Sequence, residues 1–234
     1  MLTTNQNSFF SSFRARTGAV LTATALFGAL MPSKALAHHP LGGMPMETFT
    51  HGMLSGIGHP LLGFDHLFFV FIVGVAALYT GRALLAPAAY IVAMLVGCFL
   101  MAYGIGLPMK ELVIALSLLV VGGIVLSGRA LGLAPALGLF FAFGLFHGSA
   151  FGDAIAAQEA TSGYAVLTGY LLGLGIIQYA IAVGAGWIAK TFLKATSAQT
   201  VQARLAGAVV AGIGLYLSLE NAEGLVLSAL GWSA

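Results

Sequence analysis

Apolar residues run through this chain in long blocks, with the polar residues collected between them. Windows of helix length fall at 61–79, 85–103, 112–127, 131–150, 164–189 and 201–219. Each block is continuously apolar, unlike a barrel strand, in which apolar and polar positions alternate. Only helices or closed barrels satisfy backbone polar groups inside a bilayer. The pattern therefore predicts an all-α membrane protein, a bundle of about six transmembrane helices over residues 59–220. The third window is short and the fifth long against the roughly 20 residues a span needs.

A further apolar stretch, residues 17–31, stands apart from these six. Arg14 and Arg16 precede it, and Ala35-Leu36-Ala37 follows as a small-x-small pattern. Charged start, short apolar core and small-residue site are the parts of an export signal. They predict that residues 1–37 are a signal peptide cleaved before His38. Residues 38–58 then form an exported segment rich in His, Met and Gly, and residues 221–234 a short, mildly apolar tail.

Composition sharpens this picture. Hydrophobic residues make up 59% of the 234 and charged residues 7%, against about 25% charged in a soluble domain. A soluble enzyme is excluded as the default. The net charge of +2 is too small to suggest nucleic acid. Loss of Arg14, Arg16 and Lys34 with the leader leaves six basic against seven acidic residues. One cysteine, Cys98, sits in an apolar run and reads as a small core residue, so this is no disulfide scaffold. Thirty-two glycines fit close-packed membrane helices. No GxxxxGK[ST] stretch occurs, so the chain carries no phosphate-binding loop for ATP.

With His38 outside, the charges sort by side. Arg82, Arg129, Lys190, Lys194 and Arg204 fall on the cytoplasmic side and only Lys110 outside, as the positive-inside rule expects. Glu47, Glu111, Asp153, Glu159, Glu220 and Glu223 fall outside, and an acidic outer face concentrates cations. The location expected is a bacterial inner membrane, with the mature N-terminus on the exported side.

The chemistry lies in the few polar groups placed within the spans. A carboxylate at a helix centre costs about 2.5–3.5 kcal/mol on insertion scales and usually faces the bundle interior with a partner. The sharpest cluster is His59-Pro60-Leu61-Leu62-Gly63-Phe64-Asp65-His66. Two imidazoles and a carboxylate suit a borderline divalent metal such as nickel, cobalt or zinc. In an unbroken helix, seven residues rise about 10 Å, too far for His59 and His66 to share one ion. Either Pro60 and Gly63 break the helix, or His59 is an outer stop and Asp65 with His66 an inner one. Pro60 suits a first helical position, with His59 just outside.

The fourth window ends Phe146-His147-Gly148-Ser149-Ala150-Phe151-Gly152-Asp153, which places His147 and Asp153 in the same outer half. Gly144, Gly148 and Gly152 form a stripe for close helix contact. His38 and His39 would sit at the new N-terminus, either as capture ligands or as a remnant of the cleavage region. His51 reads as an interfacial residue. Met44, Met46 and Met53 read as interfacial packing or as soft donors for copper. Gln178 and Tyr179 are candidate supporting groups.

At these residues the chain resembles the HupE/UreJ family of membrane proteins. The family pattern of His, five residues, then Asp-His in the first span is complete in His59, Asp65 and His66. The stretch HPLLGFDHLFFVFIVGVAAL is similar to the family's first helix. The family's second motif, Phe-His-Gly-x-x-His-Gly-x-Glu or a close variant, is matched by Phe146, His147, Gly148 and Gly152. Its second histidine corresponds to Phe151 here, and its acidic position falls at or near Asp153. The resemblance covers the signal peptide and six spans. It implies nickel uptake, often supplying hydrogenase or urease, with cobalt as the other substrate class, through a secondary permease working without ATP.

The expectation is a permease, not an enzyme, for divalent transition-metal ions, nickel first and cobalt second, with zinc or copper behind them. No cofactor is expected to be permanently bound. The expected metal path runs through His59, Asp65, His66, His147 and Asp153, fed by His38 and His39. Its partners are the ion, the lipid bilayer and a metalloenzyme maturation system, with a homo-oligomer left open. Two rivals stand beside it. One is a metal-sensing or assembly protein that binds without flux. The other is an intramembrane zinc hydrolase, for which HExxH is absent.

Overall fold

The computed structural model describes residues 46–156 and 163–232. The predicted leader, His38, His39, Met44 and Glu159 lie outside the described residues. Within them the chain folds as seven α-helices without strands: α1 (Phe49–Leu62), α2 (Phe64–Ala77), α3 (Leu85–Ala102), α4 (Lys110–Leu126), α5 (Leu133–Ala156), α6 (Tyr164–Thr191) and α7 (Val201–Ala229). A single 3-10 turn, Leu78–Thr80, extends α2.

Four helices, α3, α5, α6 and α7, are long and apolar enough to cross a membrane. The pair α1 and α2, with the turn after it, counts as a fifth if taken as one bent span. Helix α4 has 17 residues, about 25 Å at 1.5 Å per residue, at the lower limit for a crossing.

The first window, 61–79, is not one helix. Pro60 lies inside α1, not at the first helical position anticipated for it. A proline has no N–H to give to the preceding turn, and the helix closes two residues later at Leu62. Gly63 then takes an extended conformation, φ −89° and ψ 96°, and serves as the C-cap of α1 and the N-cap of α2. Its N–H donates to His59 O at 3.1 Å, and its carbonyl accepts from Leu67 N at 2.9 Å. The chain bends there by 82°.

Helix α1 begins ten residues earlier than the expected transmembrane domain. Thr48 caps it, its hydroxyl accepting from His51 N at 3.1 Å. His51 Nδ1 in turn accepts from Glu47 N at 3.4 Å, a reciprocal arrangement resembling a capping box. His51 is thereby occupied in starting a helix. At the other end of the chain, α7 runs on to Ala229 and takes up most of the expected tail.

Helix α2 is central. It touches every other helix, and Phe69, Val70, Ile72, Val73, Val75 and Ala77 are wholly buried. Around it, α3 packs on α5, α4 on α7 and α1 on α6. The anticipated glycine stripe of α5 is where α3 comes closest. A Cβ on Gly148 would lie 2.0 Å from Met94 O, and one on Gly144 2.7 Å from Tyr90 O. Helix α1 and α6 approach in the same way through Gly52, Gly56, Gly169 and Gly173. Cys98 is buried in the core.

The bundle's two ends differ in charge. At one end Tyr79 donates to Ala195 O at 3.0 Å and Arg204 Nε donates to Leu126 O at 3.0 Å. These contacts gather the loops carrying Arg82, Arg129 and Lys194. At the other end Lys110 forms an ion pair with Asp153, and Leu107 N donates to Ser149 Oγ at 3.0 Å.

Candidate functional site

The break at Gly63 sets up the polar centre. Opening α2 at Phe64 puts Asp65 in its first turn, where unpaired backbone N–H groups favour a carboxylate. His66 follows and turns into the bundle, 7% exposed, while the Asp65 side chain keeps 28% of its surface. His59, at the end of α1, is 6% exposed. His147, on α5, is wholly buried.

The hydrogen bonds around His147 run in one direction. Ser117 Oγ, on α4, donates to Ile114 O at 2.6 Å. A hydroxyl has one proton, so it accepts from His147 Nε2–H at 2.9 Å. Nδ1 of the neutral His147 ring is then an acceptor, and His66 Nδ1–H donates to it at 2.8 Å. Nε2 of His66 is left as that ring's acceptor nitrogen, 4.0 Å from Asp65 Oδ2. An imidazole nitrogen and a carboxylate oxygen thus face each other at the break.

The His147 ring is also fixed sideways. Phe69 stacks on it with centroids 4.2 Å apart and 19° between planes, and Tyr90 meets it edge-on at 5.9 Å. Tyr90 donates to Gln178 Oε1, whose amide nitrogen reaches Met94 Sδ at 3.7 Å. Gln178 thus supports the centre through Tyr90. Tyr179 does not: it donates to Leu84 O at 3.1 Å, on the surface.

His59 has its own anchor. Tyr170, wholly buried on α6, donates to Phe151 O at 3.0 Å. Its oxygen accepts from His59 Nδ1–H at 3.2 Å. Between the two histidines lies the Phe151 ring, wholly buried, 5.3 Å from His59 and 4.2 Å from His66.

The structure therefore joins His66 to His147, sets Asp65 beside His66, and holds His59 apart behind Phe151. Asp153 pairs with Lys110 and is 45% exposed in its side chain, away from the histidine chain. Among the described residues, no three His, Cys, Asp or Glu side chains converge to hold an ion. Sequence reasoning passed over Ser117 and Tyr170. The signal available was a lone hydroxyl in the apolar run of α4 and a tyrosine within α6, since a buried hydroxyl has to find a partner.

The HupE / UreJ protein family matches residues 24–217. A curated relative, Protein HupE of Rhizobium leguminosarum bv. viciae, is 36% identical over 101 residues, which is 42% of this chain and 49% of that protein. The match thus spans about half the length of that relative. No solved structure matches the chain.

Proposed function

The chain belongs to the HupE/UreJ family, and from that premise we propose that it is a secondary permease for divalent transition-metal ions, nickel first and cobalt second. The observation that carries this reading is the imidazole and carboxylate brought together at the break, His66 Nε2 and Asp65 Oδ2, 4.0 Å apart. An imidazole with a carboxylate suits a borderline metal, and the carboxylate offsets part of a dication's charge.

His59 is the outer stop in this reading and Asp65 with His66 the inner one. Each stop offers few protein donors, so an ion binds well enough to enter and weakly enough to leave. Asp65 supplies the compensating charge. A resident zinc ion, by contrast, usually has three or four protein ligands. The proposal includes six crossings, with α1 and α2 as one broken span and α4 as a short one. It places the basic end of the bundle in the cytoplasm of a bacterial cell and the mature N-terminus on the exported side, with His38 and His39 gathering the ion. A metalloenzyme maturation system would receive it.

The test is metal flux into proteoliposomes holding the purified protein, with nickel, cobalt, zinc and copper compared. Saturable nickel or cobalt entry is expected, with Asp65→Asn lowering it at unchanged membrane insertion. Undiminished flux in Asp65→Asn would remove the central residue, and stoichiometric binding without flux would favour a sensing or assembly protein.

A further inference from the structure

We propose that His147 and Ser117 are positioning residues that hold His66 toward the ion, and that His147 is not itself a ligand; this rests on the permease reading above. His147 has no nitrogen left to give. Its Nε2–H is taken by Ser117 and its Nδ1 by His66. Phe69 covers one face of the ring, Tyr90 meets its edge, and none of the residue is exposed. An ion has no open approach to it.

What His147 does control is the ring beside it. By accepting from His66 Nδ1–H it selects the tautomer in which His66 Nε2 carries the lone pair. It also fixes the direction of that lone pair, on the side of Asp65. Ser117 sets the sense of the whole chain. Because its proton goes to Ile114 O, His147 must donate to it, and the acceptor passes along to His66. A hydrogen bond to the far nitrogen of a ligating histidine fixes the ring's orientation and raises its basicity. Loss of such a partner typically costs about 10–100-fold in metal affinity.

The experiment uses the full chain in detergent with Co2+ alone, whose visible ligand-field bands report the donor set, and Ni2+ for dissociation constants. His66→Ala should lose the bands. Ser117→Ala should keep the band positions while the dissociation constant rises about 10–100-fold, and Ser117→Thr, which keeps the hydroxyl, should restore the parent value. His147→Gln, whose amide oxygen can still accept from His66 Nδ1–H, should also keep the band positions. Loss of the bands in His147→Gln, as in His66→Ala, overturns the assignment and makes His147 a ligand. Parent affinity in Ser117→Ala overturns it as well. Parent-like bands and affinity in His66→Ala would instead sink the permease reading on which the assignment rests.

Discussion

A phenyl ring stands where the resemblance expects an imidazole. The Phe151 ring packs against both His59 and His66, with centroids 5.3 and 4.2 Å away. Phe151→His would place a donor within reach of both. We expect nickel affinity to rise roughly tenfold, about 1.4 kcal/mol, with slower flux in proteoliposomes because the ion leaves less readily. Unchanged affinity would mean that the ring does not lie between the two stops. The polar residues of this centre were legible from the sequence: His59, Asp65, His66 and His147 stand out because ionisable groups in apolar helices are costly. Their partners were not. Asp153 goes to Lys110, 43 residues away, and His59 to Tyr170, 111 away. Such pairings depend on how helices pack, and periodicity along one helix carries no trace of them.

The helices themselves were read more fully. Windows two to six each coincide with an observed helix to within a few residues, apart from α5 and α7, which run on toward the C-terminus. The first window found α2 but missed most of α1, which contains Gly, His, Ser and Pro and is less apolar than a span. Packing against α6, through glycines on both helices, supplies what its composition lacks. The same close approach makes a prediction for α5. Gly148→Ala would set a methyl 2.0 Å from the backbone of Met94, forcing α3 and α5 apart at a cost of about 1–3 kcal/mol. Gly138→Ala, on the same helix with nothing within 4 Å of its Cβ, should be neutral or slightly stabilising. Thermal unfolding in detergent separates the two. Equal midpoints would mean that the stripe does not hold α3 against α5.

For the molecule as a whole, the two ends of the bundle define opposite sides of the membrane. Cys98 is buried, so the parent protein provides a silent background for membrane-impermeant thiol reagents. Arg82→Cys and Arg129→Cys should be labelled only after the cells are permeabilised, and Lys110→Cys in intact cells. The reverse pattern would invert the orientation. The gathering of Arg82, Arg129 and Lys194 at one end, with Lys110 at the other, was legible in the sequence because successive spans return the chain to alternate ends. The number of crossings was less so, since a helix broken by 82° and one of 17 residues differ from ordinary spans in geometry more than in composition.

The long reach of the centre's contacts also sets an order of events during synthesis. His66 waits for His147, 81 residues later, and His59 for Tyr170. At about 5–20 residues per second, the 111 residues between His59 and Tyr170 take roughly 5–20 s to make. Early in that interval the newly made α1 and α2 carry His59 and His66 into the membrane before His147 and Tyr170 exist. A chain stalled before α5 would keep both histidines without these contacts indefinitely, a ready mark for membrane quality control.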